Sequence, residues 1–178
     1  MATQERNWLR GAAAGAVGGL VASYGMTLLL RGLERAGVEA PHHPQHSVNR
    51  GDRDATAERQ PGSAEDDATV EAVERLARAF GVQLTPRQKE LAGPLAHYGF
   101  GTAMAALYGA LAAREERVTA GFGLAFGMLV WLLFDEIGIP AMKLSPPPWE
   151  SPPAVHLRGA AAHVVYGPGT ELVRRMLA

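Results

Sequence analysis

Three stretches of the chain contain no Asp, Glu, Lys or Arg: Gly11 to Leu30, Leu91 to Ala113, and Val118 to Phe134. The charges gather elsewhere. Nine of the 17 basic and eleven of the 18 acidic residues lie between Arg31 and Gly93. Segregation of this kind belongs to a membrane protein with one long water-facing loop, and the predicted fold class is an all-α integral membrane bundle. The hydrophobic pattern predicts four spanning helices, at about 8–31, 94–113, 118–139 and 153–177. The loop at 32–93 should carry an amphipathic helix at about 64–80.

The first charge-free run holds twenty residues, and at about 1.5 Å per residue it matches a hydrocarbon core of about 30 Å. A cleaved signal peptide shares its basic start, but its apolar run would be shorter. Before the second run, Thr85-Pro86-Arg87-Gln88 reads as an N-cap, a first-turn proline and a capping-box Gln. The short link Arg114-Glu115-Glu116-Arg117 predicts a tight antiparallel hairpin of segments two and three, with Pro140 stopping segment three. Segment four carries His156, Arg158 and His163 and is expected to be interrupted at Gly167-Pro168-Gly169, so it should pack against other helices. In the loop, Pro41 to Gly62 is polar and predicts a mobile stretch. From Ser63 on, Val70, Val73, Leu76, Ala77 and Phe80 share one helical face, and Gly81 is a natural C-cap. Such a helix lies on a membrane surface or caps the bundle. Its acidic charge disfavours anionic lipid, so capping is the expectation.

Composition narrows the chemistry. The hydrophobic fraction of 47% and formal net charge of −1 are those of an ordinary chain of one core, and near-neutrality argues against nucleic acid as a partner. The absence of cysteine removes disulfides, thiolate nucleophiles and Cys-ligated metals. No phosphate loop, dinucleotide fingerprint or nucleophile elbow is present. The 21 glycines are informative because glycine is unfavourable inside helices. Gly11, Gly15 and Gly19 recur every fourth residue, as do Gly123 and Gly127, and Gly101, Ala105 and Gly109 form a third small stripe. Small residues at this spacing let helices approach closely in lipid. Two uses stand: packing within the bundle, or a homo-oligomer interface on the first stripe.

Topology gathers scattered polar residues. Let side B be the end of the bundle that holds the long loop. His97, Asp135, Glu136, His156 and Arg158 all fall near side B, with His163 seven residues and about 10 Å deeper than His156 on the same helical face. Tyr24 falls at a comparable depth. Ionisable groups inside a membrane are candidates for function. Bland roles stand beside that: an ion pair of Arg158 with Glu136 or Asp135, interfacial anchoring by His97 and Tyr98, a simple hydrogen bond from His163. His97, Glu136, His156 and His163 are suitable metal ligands by type, and His42, His43 and His46 cluster in the loop. No metal-site spacing supports either group, and no metal or cofactor is expected.

The run Trp131-Leu132-Leu133-Phe134-Asp135-Glu136, Pro140, Leu144-Ser145-Pro146-Pro147-Pro148-Trp149, His156 and His163 resembles the YagU-like family of small bacterial inner-membrane proteins. His97-Tyr98-Gly99-Phe100-Gly101 through Tyr108-Gly109 is similar to that family's His-and-Gly helix. The resemblance implies inner-membrane location, unknown biochemical activity and a loose link to survival at low pH. Glu136, His156 and His163 match its acidic residue and two later histidines, whereas Asp135 stands where a His is expected. Side A carries Arg6, Arg10, Arg114, Arg117, Arg174 and Arg175, one more basic residue than side B near the membrane, which leans side A cytoplasmic.

Three functions follow, none of them a soluble enzyme. The first is a non-enzymatic membrane protein that senses or conducts protons through the His/carboxylate cluster. The second is a structural or accessory subunit with a protein partner. The third is a small membrane-embedded metal-dependent enzyme. A soluble helical bundle is the structural rival.

Overall fold

In the computed structural model, residues 2–38 and 64–178 are described. The stretch Pro41–Gly62, with His42, His43 and His46, lies outside them. Among the described residues every regular element is helical: α1 (Ala2–Arg35), α2 (Ala64–Ala79), α3 (Pro86–Ala112), α4 (Leu124–Val130), a π-helical stretch (Trp131–Gly138), α5 (Ile139–Ala141) and α6 (Pro153–Leu177). Short 3-10 turns occupy Glu116–Thr119 and Pro148–Glu150. From α4 through α5 the chain runs on as one rod, Leu124–Ala141.

The helix ends obey local chemistry. Thr85 caps α3 through the full capping box, its hydroxyl accepting from the Gln88 N–H at 3.3 Å while the Gln88 side chain accepts from the Thr85 N–H at 2.8 Å. Thr85→Ala should cost about 1 kcal/mol, seen as roughly fivefold faster amide exchange at Gln88; unchanged exchange would mean that the cap contributes nothing. Past α1 and α2, Gly37 and Gly81 take the left-handed conformation, with φ of 79° and 72°. The next N–H then reaches back to Leu33 O (2.9 Å) and Ala77 O (2.8 Å), closing a Schellman motif at each end.

Three expectations about the segments are corrected. Segment three becomes regular helix at Leu124 rather than Val118, because Gly121, Phe122 and Gly123 all have positive φ, 67°, 56° and 79°. Segment four is not interrupted at Gly167-Pro168-Gly169. α6 runs continuously through Pro168, whose missing N–H loses one hydrogen bond without ending the helix. The helix of segment three likewise continues past Pro140 to Ala141.

α1 is the central helix, packed along α3 on one side and α6 on the other. Gly11, Gly15 and Gly19 lie against Gly109, Ala105 and Gly101, so α1 and α3 are antiparallel with backbones in contact. Gly18 lies against Thr170 and Gly25 against Val165, which sets α6 antiparallel to α1. The rod packs on α6, where Gly123 and Gly127 meet Gly167 and the His163 carbonyl. The predicted close hairpin of segments two and three is therefore not the tight contact. α3 and the rod meet through rings, Tyr108 on Phe126 at 4.4 Å and Phe100 on Phe134 at 4.6 Å. The first glycine stripe is covered by α3 within one chain, which leaves it no open face for a second copy.

Much of the interior is small or polar, with Ala14, Ala22, Ala105, Ala162, Ser23, Thr170 and Glu171 buried, and the larger side chains Met26, Tyr108, Val130 and Tyr166 are buried among them. The exterior carries the large aliphatics, Leu20 and Leu28 on α1, Leu95 and Leu107 on α3, and Leu129, Leu132 and Ile137 on the rod. Two helices are long and apolar enough to cross a membrane, Asn7–Arg35 and Leu124–Ala141, each with mean hydropathy 1.6.

Candidate functional site

Asp135 and Glu136 are neighbours in sequence, yet both reach α6. The π-helical stretch makes this possible. Its hydrogen bonds run i→i+5, so each turn holds more residues and successive side chains diverge by a smaller angle than in an α-helix. At Gly138 an added Cβ would fall 3.0 Å from Leu133 O, the carbonyl five residues back, so the wide turn is closed over a glycine.

Two histidines on one face of α6 meet these carboxylates separately. His156 sits at the side-B end, its Nδ1 at 2.8 Å from Glu136 Oε1 and 2.7 Å from Oε2. Its Nε2 lies 3.0 Å from the Pro148 carbonyl. With Glu136 ionised, a protonated imidazole meets both acceptors by donating from each nitrogen, and the contact reads as an imidazolium–carboxylate pair. The bond to Pro148 also secures the 3-10 turn that carries Trp149. Seven residues deeper, buried His163 has its Nδ1 at 2.9 Å from Gly159 O, the carbonyl of the preceding turn, and 3.6 Å from Asp135 Oδ2. Asp135 is thus an electrostatic neighbour of His163 rather than its hydrogen-bond acceptor. The indole Nε1 of Trp131 stands against Gly159 beside them, buried and with no hydrogen-bond partner among the described residues.

Arg158 does not pair with Glu136 or Asp135. Its guanidinium bonds Glu34 and, at 3.2 Å, the Val38 carbonyl, tying the start of α6 to the end of α1. Two residues beyond His156 it points about 200° around the helix, toward α1 instead of the rod. His97 is half-buried on α3, edge-on to Tyr98 at 5.4 Å, and Tyr98 shares a 3.0 Å hydrogen bond with Thr27 of α1. The two pairs on α6 do not include it. Tyr24 turns outward on α1 and is exposed. The sequence-based candidates therefore divide into two His–carboxylate pairs rather than one cluster. Among the described residues no three His, Asp or Glu side chains come close enough together to hold a metal ion.

Sequence reasoning missed a second polar centre at side A. Glu171, fully buried, accepts from Tyr108 Oη at 2.8 Å, Arg174 at 2.6 and 2.9 Å, and Arg175 at 2.6 Å. The signal was the spacing of Glu171, Arg174 and Arg175, an acid followed by bases at i+3 and i+4. The two arginines read instead as flanking charges. Between the two centres, rings of His163, Tyr166, Phe126 and Tyr108 follow one another at 6.0, 5.5 and 4.4 Å.

A family model described as a protein of unknown function, DUF1440, matches residues 72–172. That is more than half of the chain. The chain belongs to the DUF1440 family. The DUF1440 match takes in both His–carboxylate pairs and Glu171, and begins within α2, so α1 stands outside it. No curated protein and no solved structure matches the chain.

Proposed function

We propose that this DUF1440 chain is a four-span protein of the bacterial inner membrane whose His156–Glu136 pair responds to protons. The spanning part rests on the inverted distribution of side chains. Large aliphatics face outward on all four long helices, Leu20, Leu107, Leu132 and Leu157 among them, while Ser23, Thr170 and Glu171 are inside. A water-soluble bundle would reverse that, because about 25 cal/mol is lost for each Å² of apolar surface left in water. Rings paired with arginine mark side A, Trp8 beneath Arg114 and Phe122 beneath Arg175, as aromatic belts do at a membrane boundary. Glu136, His156 and His163 are also the residues that match the YagU-like pattern.

One observation carries the proton response: His156 bridges Glu136 and the Pro148 carbonyl, so its charge couples the rod to the side-B turn. Loss of the His156 proton at higher pH removes one N–H, and one of the two acceptors is released. The turn is held on both sides only while His156 carries both of its ring protons.

Trp149, 83% exposed on that turn, is a native reporter. In a background with Trp8→Phe and Trp131→Phe, its emission in proteoliposomes should change with pH. Glu136→Gln and His156→Gln should each flatten that change. A titration identical in all three proteins removes the pair from any proton response. Proton flux that is present in the wild type and absent in Glu136→Gln and His163→Ala would extend the role from sensing to conduction.

A further inference from the structure

α2 shows an apolar face that nothing among the described residues covers. Val70, Val73 and Ala77 are half-buried, but Leu76 is 61% and Phe80 78% exposed. Leu76 and Phe80 are four residues apart and share one face. Val82 in the following turn, and Leu91 and Leu95 in α3, are exposed as well.

The helix is held in place at the side-B end of the bundle. Arg75 donates to Met142 O at 2.7 Å and to Lys143 O at 3.4 Å, just past the end of the rod, while keeping Glu71 as its i−4 partner. Glu74 pairs with Lys89 in the first turn of α3 at 2.9 Å. α2 is therefore tied to the level at which two helices leave the apolar belt, the level that also presents exposed Met142 and Trp149.

We propose that α2 is an interfacial helix, with the Leu76–Phe80 face bedded in the headgroup boundary of the bilayer that holds the bundle. The proposal rests on the spanning reading above and adds a bilayer contact outside the spanning helices. Position favours lipid over a protein occupant, since the face is tethered where the aliphatic belt ends. Charge sets the kind of contact rather than the choice of occupant. α2 carries acidic residues in excess, five against the two bases Arg75 and Arg78. The contact is thus apolar insertion, and it should be the same in neutral phosphatidylcholine as in phosphatidylcholine mixed with phosphatidylglycerol. Capping of the bundle and contact with the surface are both parts of one arrangement: Val73 and Ala77 are half-buried, and Leu76 and Phe80 turn outward.

The chain has no cysteine, which makes single-site labelling direct. Nitroxides at Leu76→Cys, Phe80→Cys, Glu71→Cys and Leu132→Cys would be compared in phosphatidylcholine vesicles for collision with oxygen, which concentrates in lipid, and with a water-soluble nickel chelate. Oxygen should dominate at positions 76, 80 and 132, and nickel at 71. Nickel dominance at 76 and 80 with oxygen dominance at 132 overturns the interfacial helix and leaves the spanning reading intact. Nickel dominance at 132 overturns the spanning reading and the proposal with it. Exclusion of both quenchers at 76 and 80, with spin–spin broadening, replaces lipid by a second copy and overturns it too. All four positions are at least partly exposed to solvent or belong to the polar face, so the labels leave the packed interior untouched.

Discussion

Gly109→Val should separate α1 from α3. A Cβ at this position would fall 2.9 Å from the Cα of Gly15 and closer still to the carbonyl oxygen of Gly11. The obstructing atoms are backbone, so no side chain can turn aside, and two helices must part along their length. Overpacking of a core ordinarily costs about 1–3 kcal/mol; here about 3 kcal/mol or more is expected, read as a lower midpoint in thermal or detergent unfolding. Gly99→Ala is the matched control on the same helix. A Cβ there meets nothing within 4 Å, and the change should leave stability within about 1 kcal/mol of the wild type, on the stabilising side of it. Equal behaviour of the two variants would mean that the α1–α3 contact is not the close approach described.

The second large effect belongs to Glu171. Its carboxylate is the common acceptor for Tyr108, Arg174 and Arg175, and Arg174 retains only 12% side-chain exposure. Glu171→Ala leaves a buried guanidinium without its counter-charge and a buried phenol without its acceptor, for which about 3–5 kcal/mol is expected. Tyr108→Phe removes one neutral donor while both arginines still satisfy the carboxylate, so about 1 kcal/mol is expected. The order of the two variants is the test. If Tyr108→Phe costs as much as Glu171→Ala, the arginines are not clamping the acid.

The features legible in advance were those with a local cause. The capping box at Thr85 depends on four consecutive residues, and the left-handed Gly81 ends α2 through its own backbone. The glycine stripes were legible as helix-packing faces from their spacing, though not their partners: the first meets α3, and Gly123 and Gly127 meet α6. The features not legible had distant causes. Gly121-Phe122-Gly123 sits inside an apolar run, and periodicity does not reveal that three successive residues turn left-handed. Pro168 looked like a breaker, yet Gly167 presses on the Gly123 carbonyl and the packing holds α6 continuous across the lost hydrogen bond. Glu171 was overlooked because its meaning depends on Tyr108, 63 residues earlier.

By itself, the sequence determined the all-α class, the apolar runs and the residues available for pairing, because burial of backbone and apolar surface depends on composition along a single helix. Which histidine faces which carboxylate was decided by the tertiary structure alone. That choice depends on the angle of each side chain about its helix axis. The π-helical stretch changes the angle between Asp135 and Glu136, and the glycine contacts set how α6 is rotated against the rod. Arg158 shows the consequence: two residues from His156, it is turned to α1 and Glu34, because about 100° per residue carries it off the face that meets the rod.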